Sequence, residues 1–332
     1  MGDNRPGEFE LIAKYLAPLA TDPGSLALTD DAAVIPSWPG QDLVLTKDML
    51  AAGIHFFPDD PPAAIAAKAI RVNLSDLAAK GAEPKGYLLG LGLPGDWTES
   101  FLAEFCQGLK AEQDTFGISL YGGDTIRSPD GFFVSITAIG TLPEGTGVRR
   151  SGAKPGDAIF LTGTIGDAAL GLKLRLKPEL AGTLQLSDAD RSHLENRYLL
   201  PRPRVKAAAA VRNHANAAVD LSDGLAADLG HICEASGVSA RVDIEKLPIS
   251  KAIFSVITKD AAELGTCIAG GDDYEILACV PAERAEQFAA ELKAAGVPAR
   301  QIGEIAEGEA KVDFLQGGRA IDFAAISGFK HF

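Results

Sequence analysis

Apolar and polar residues alternate with period two over residues 42–50, the spacing of a half-buried strand, and this run carries Lys47-Asp48. Residues 8–20 instead place Phe9, Ile12, Leu16 and Leu19 at helical spacing, and a Pro/Gly turn follows. Residues 63–80 are rich in Ala, lack Gly and Pro, and stop at Gly81 and Pro84. That pattern predicts one long helix carrying Asn73, Ser75 and Asp76. Residues 25–35 read as a short strand with an Asp30-Asp31 step, 87–93 as a strand and 98–115 as a helix. Residues 118–121 read as a strand ending in Gly122-Gly123-Asp124-Thr125, and 131–142 as another.

Over residues 150–157 the composition shifts to Gly, Pro and charge, which marks a hinge between two halves. Beyond it, strands are expected at 158–163, 217–221, 240–244, 267–270 and 275–280, with two or three short ones from 299. Helices are expected at 167–176, 205–213, 225–235 and 282–295, and 177–200 is helical in part. Strands and helices mix without a regular βαβ rhythm, so the class is α+β with mixed sheets, not a doubly wound fold. Residues 73–79 echo 220–227, but two short matches do not make a repeat.

A chain of 332 residues has room for two cores. Its net charge of −14 argues against nucleic acid or an anionic membrane as partner, yet admits a nucleotide screened by cations. Cys106, Cys233, Cys267 and Cys279 form no C-x-x-C pair and suit buried thiols of a reducing cytoplasm. The N-terminus has no apolar signal region, and no apolar run approaches the roughly 18 residues of a membrane span. The expected location is cytoplasmic.

Carboxylates carry the candidate chemistry. Asp31, Asp48, Asp76, Asp124, Asp220, Asp223 and Asp272 lie at ends of apolar elements or on the Ala-rich helix. A solvated acidic face explains any one of them, but it explains all seven less well. Two unit charges 4 Å apart cost about 4 kcal/mol at an effective dielectric of about 20, so a converging set needs cations. Oxygen-only ligands select Mg²⁺, Mn²⁺ or Ca²⁺, and Mg²⁺ fills its shell with water and phosphate oxygens, as ATP would offer. Asp220-Leu221-Ser222-Asp223-Gly224 read alone is a helix start, with Ser222 or Asp223 as cap.

Competing motifs fail. No G-x-x-x-x-G-K-[ST] loop is present. Gly90-Leu91-Gly92-Leu93-Pro94-Gly95 fits the dinucleotide pattern only formally, because Pro94 removes an N–H that pyrophosphate would need. His193, His214 and His231 read as surface or helix-end residues, whereas His55, after Gly53, is a packed side chain or a ligand contact. Arg150 and Lys154 are in place to reach phosphates; Arg202 and Arg204 read as structural.

Taken together and in order, these motifs resemble the thiamine-monophosphate kinase family, in the superfamily of aminoimidazole ribonucleotide synthetase. The resemblance rests on Gly7-Glu8-Phe9, Asp30-Asp31-Ala32-Ala33, Asp48-Met49-Leu50 with Gly53-Ile54-His55-Phe56, and Asn73-Leu74-Ser75-Asp76-Leu77-Ala78-Ala79. It continues through Gly122-Gly123-Asp124-Thr125, residues 150–157, residues 220–225 and Gly270-Gly271-Asp272-Asp273-Tyr274-Glu275. It implies ATP-dependent phosphorylation of thiamine monophosphate to thiamine diphosphate, several Mg²⁺ ions, and a homodimer that pairs its N-terminal sheets. It leaves a monovalent-cation requirement open. It implies a domain at 1–149 for ATP, Mg²⁺ and dimerisation, and one at 150–332 completing the metal and substrate site. Metal ligands fall on Asp31, Thr46, Asp48, Asp76, Asp124, Asp220 and Asp223, with Lys47 through its carbonyl. Nucleotide contacts fall on Gly123, Asp124, Arg150 and Ser222, and substrate contacts on His55, Asp272 and Phe329. The catalytic set is Asp48, Asp76, Asp124 and Arg150. Three residues depart from the family pattern: Thr29 stands for Gly, Lys47 for Thr, and Asp272 for Glu. The alternatives are another ATP-using enzyme of the superfamily and a non-catalytic Mg²⁺–nucleotide sensor.

Overall fold

β-Branched and aliphatic runs pair into one sheet in each of two units. In the computed structural model, which describes residues 6–321, the first unit comprises the chain to Leu77 with Glu83–Gly145, and the second Ala78–Ala82 with the chain from Thr146.

The first unit has strands β1 (Gln41–Ala51), β2 (Glu83–Pro94), β3 (Ser119–Ser128) and β4 (Phe133–Pro143), in the order β1-β4-β2-β3. β4 runs antiparallel to both neighbours, while β2 and β3 are parallel and joined through the helix Glu99–Phe116. The Thr98 hydroxyl caps that helix by accepting from Phe101 N–H. The Ala-rich helix Pro62–Ala79 forms as the pattern predicts, and its small side chains let it bury Ile65, Ile70, Leu74 and Leu77 almost completely. Successive strand residues point to opposite faces. On β1 the even positions lead to the covered face, and the odd ones stay exposed: Leu43 57%, Leu45 63% and Met49 56%.

The second unit has β5 (Ala158–Thr162), β6 (Ala217–Asp220), β7 (Ser239–Asp243), β8 (Ile276–Val280), β9 (Ala299–Ala306), β10 (Lys311–Gln316) and β11 (Arg319–Ile321). The sheet order is β11-β10-β7-β9-β5-β8-β6, and among the described residues only β7–β10 is parallel. One core, with Val219, Leu225, Leu229, Leu277 and Ile302, covers one face. Phe160, Val211, Ala278, Phe288 and Leu292 make the other. Among the described residues, no helix is long and apolar enough to cross a membrane.

Several local expectations are corrected. Residues 25–35 form no strand: Pro23 and the Asp22 carboxylate, which accepts from Gly24 N–H, start a 3₁₀ turn over Pro23–Leu28. Leu26, Ala27 and Leu28 there take φ of 51°, 51° and 56°, which no strand tolerates. The N-terminal helix winds as Glu8–Leu11, a wider turn Ile12–Leu16 and a tighter one Ala17–Leu19. The changed pitch buries Leu11, Leu16 and Leu19 and leaves Phe9 84% exposed. Residues 267–269 end the helix Glu263–Ala269 and Gly270 follows as its C-cap; so short an apolar run has no readable period. The helix Lys251–Lys259, capped by Ser250, was not expected. β3 does not stop before Gly122 but continues to Ser128, because β2 keeps pairing with it. Gly123 is required for that approach, since a Cβ there would lie 1.9 Å from the Leu89 carbonyl oxygen. The two echoing segments differ in structure, one inside a helix and the other a strand end with a turn.

Candidate functional site

Alternation on β1 aims Thr46 and Asp48 at the covered face, towards the last turns of the helix Pro62–Ala79. There the Thr46 hydroxyl donates to Asp76 Oδ2 at 2.5 Å. Burial, with a smaller contribution from the Asp76 charge, pushes the Asp48 carboxyl up to about 7. This is a carboxylate pair that a cation would relieve, and its donors are all oxygen, which fits Mg²⁺. Lys47 takes the opposite, exposed face, so its ammonium is turned away from this pair and only its carbonyl is available as an oxygen donor. Asp31 lies exposed in a bend, where Asp30 Oδ1 accepts its N–H at 2.8 Å.

Asp124 is not beside Asp48. The register runs Met49–Ser135–Gly90–Asp124, one row along from Asp48. β1 and β3 are the two edges of the sheet, three strand spacings apart, or about 14 Å. Ligands of one Mg²⁺ sit at about 2.1 Å from it, so these two carboxylates of one chain do not share an ion.

His55 lies in a tight turn at the end of β1. The Ala51 N–H donates to His55 Nδ1 at 3.1 Å, and Gly53 N–H donates to the Phe56 carbonyl at 2.8 Å. The Phe56 ring is buried against Phe132 at 6.1 Å.

In the second unit, the stretch 220–224 is fastened to the loop 270–275. Asp272 N–H donates to the Ser222 carbonyl at 2.9 Å, Tyr274 N–H to Leu221 at 2.8 Å, and Leu221 N–H to Glu275 at 2.8 Å. Gly224 sits at φ 106°, and a Cβ there would be 2.7 Å from the Ala269 carbonyl oxygen. Asp272 also has positive φ, 69°. Asp220 is buried at the end of β6. The helix Leu225–Ser236 is braced by a residue that the sequence reading passed over. Asp228 Oδ2 accepts from Asp223 N–H at 3.0 Å and from Gly224 N–H at 3.1 Å. Neither Ser222 nor Asp223 caps the helix, which leaves both side chains facing other work. Burial pushes the Asp228 carboxyl up to about 7 against the opposing pull of those N–H groups and Arg150.

Asp223, Asp228 and His231 also bring ligand atoms within 4.8 Å of one another. The Asp-x-x-His spacing on one helix was the signal available for this trio. Asp228 Oδ2 already accepts from two N–H groups, so we read Asp228 as a brace. Arg150 and Lys154 are exposed on the irregular segment after β4. Arg204 is occupied by Glu275, with Nε–Oε2 and Nη2–Oε1 both 2.5 Å, as a structural role requires. Phe329 lies outside the described residues.

The Asp48 carboxyl supplies a pH test. Its folded value, about 7, lies above the ordinary 3.8, so its contribution favours folding at low pH and is lost as pH rises through about 7. Metal-free protein is therefore expected to melt at a lower temperature at about pH 8 than at about pH 5.5, less so in Asp48→Asn, and Mg²⁺ is expected to stabilise more at the higher pH. Thermal melts in EDTA and in Mg²⁺ check this; identical pH slopes in both proteins would contradict it.

Two family models match the chain: the N-terminal domain of AIR synthase related proteins over residues 29–142 and the C-terminal domain over 154–314. Thiamine-monophosphate kinase of Caulobacter vibrioides is 45% identical over 316 residues, covering 94% of this chain and 88% of that protein. The crystal structure of thiamine-monophosphate kinase from Stenotrophomonas maltophilia superposes with a TM-score of 0.79 at 38% identity, covering 89% of this chain and 91% of that one. A structure of AaThiL complexed with AMPPCP and TMP superposes with a TM-score of 0.77 at 30% identity over 100% of both chains.

Proposed function

Because this chain belongs to the AIR synthase-related family and, within it, to the thiamine-monophosphate kinases, we infer that it phosphorylates thiamine monophosphate with ATP, giving thiamine diphosphate and ADP. The full-length match to a protein held with AMPPCP and TMP carries this reading. The transfer is direct and in line, without a phospho-enzyme. The acceptor is already a phosphate anion, so no general base is needed; positioning and charge neutralisation suffice.

In the first unit, Thr46, Asp48 and Asp76 would hold Mg²⁺, with Asp31 and the Lys47 carbonyl nearby in sequence. Asp220 and Asp223 of the second unit would hold further ions. Mg²⁺, when bound, would neutralise phosphate oxygens as charge shifts from the attacking acceptor phosphate to the departing ADP. Arg150 contributes a fixed positive charge to the nucleotide phosphates. Ser222 is available to the nucleotide because Asp228 has taken over the helix cap. Gly123 lets backbone approach closely, and His55 and Asp272 contact the thiamine substrate. Asp272 reaches one methylene less far than the usual Glu.

The enzyme is a homodimer paired through the first unit's sheet. Leu43, Leu45, Met49 and Leu88 form an exposed apolar face there, which favours burial against a second copy. Since Asp124 lies too far from Asp48 in one chain, the partner copy supplies Asp124 to the site of Asp48.

The activity test is direct: protein, ATP, Mg²⁺ and thiamine monophosphate are incubated and thiamine diphosphate is sought. Bound nucleotide without product would instead indicate a sensor. For the shared site, inactive Asp48→Asn and Asp124→Asn chains are mixed and allowed to exchange. Random pairing is expected to restore about a quarter of wild-type activity. No recovery, once exchange is verified, would reject the shared site.

A further inference from the structure

A lysine is among the most costly residues to bury, and helices rarely carry one on a packed face. Lys68 stands on the covered side of the Ala-rich helix Pro62–Ala79 and is only 2% exposed. Its Nζ donates to the backbone carbonyl of His55 at 2.9 Å. The charge therefore sits inside the first unit with a hydrogen bond aimed at one turn, the one after β1.

That turn is tied at several points. Ala51 O accepts from the N–H groups of both Ile54, at 3.2 Å, and His55, at 3.0 Å. Phe56 is sunk in the core beside Phe132. Asp60, itself buried, accepts from Phe57 N–H at 2.9 Å. The imidazole is tied separately. Its Nδ1 accepts from Ala51 N–H, so the neutral ring carries its proton on Nε2. The ring thus presents a fixed N–H donor, the right chemistry for an anionic oxygen such as a phosphate.

We propose that Lys68 is a positioning residue: by hydrogen-bonding the His55 carbonyl, it holds the turn in which His55 presents Nε2–H to the thiamine substrate. This rests on the reading of His55 as a substrate contact. Packing alone would be met by Met or Leu on an apolar helix face. What only a long cationic side chain supplies is a charged donor at the His55 carbonyl.

Kinetics on Lys68→Met, Lys68→Arg, His55→Ala and the double variant test it. Lys68→Met is expected to raise KM for thiamine monophosphate about tenfold, the size of one lost charge-assisted hydrogen bond, with KM for ATP little changed. Lys68→Arg, which keeps a donor, is expected to recover most of the difference. In the His55→Ala background, Lys68→Met is expected to add nothing, because its effect passes through His55. Additive effects in the double variant, or a rise in both KM values alike, would overturn the proposal. If His55→Ala leaves KM for thiamine monophosphate unchanged, the substrate role of His55 fails, a separate result. Should Lys68→Met not fold, nitrogen-15 NMR of His55 in wild type and Lys68→Arg decides. The Nε2–H tautomer in both is expected, and an Nδ1–H tautomer would reject the arrangement.

Discussion

Asp48→Asn lowers turnover by about two to three orders of magnitude while leaving the metal-free protein at least as stable as wild type. Both halves follow from the same geometry. Asp48 is held in a largely buried position beside Asp76, where burial and a like charge already disfavour its ionised form. A carboxylate stands there at a cost to folding, which points to a functional group. The amide removes the repulsion and with it the negative charge that holds Mg²⁺. Turnover under saturating ATP and thiamine monophosphate, with melting in EDTA, separates the two effects. Turnover near wild type would refute the role of Asp48; a large loss of apo stability would mean that the carboxylate is structural.

The second large effect is on stability. Glu275→Gln is expected to destabilise the second unit by about 3–5 kcal/mol, because it leaves buried cations without their counter-charge. Glu275 is completely buried at the start of β8. Arg204 grips it through two nitrogens, Arg197 Nη2 reaches it at 3.2 Å, and the Thr162 hydroxyl donates to it at 2.8 Å. Arg197 also donates to the Asp273 carbonyl at 3.1 Å, so the loop carrying Asp272 is tied to the same charge. Denaturant unfolding checks this: the midpoint falls while the slope is kept. A shift below about 1 kcal/mol, the range of exposed pairs, would show that the network is not a net support.

Local patterns carried much of the architecture. The Ala-rich helix, the alternating strand β1 and the helix starting at Leu225 were legible because periods of 3.6 and two are properties of short windows. Residues 25–35 misled because their apolar run hides three left-handed residues, and backbone handedness outside Gly leaves little trace in composition. The missed helix Lys251–Lys259 did carry its signal, Ser250 before an apolar-periodic run.

For the site, residue order along the chain was enough to establish the inventory and the family. It showed which carboxylates exist, that they recur at element ends, and that their order matches one family end to end. Those are facts of spacing along the chain. Their allegiances came from packing in three dimensions. It turned Lys47 away from Asp48, gave the helix cap to Asp228 instead of Ser222 or Asp223, and buried Lys68 under the His55 turn. It also put Asp124 at the far edge of the sheet from Asp48. Strand order, register and helix packing are set by contacts between residues far apart in the chain, and no local window contains them.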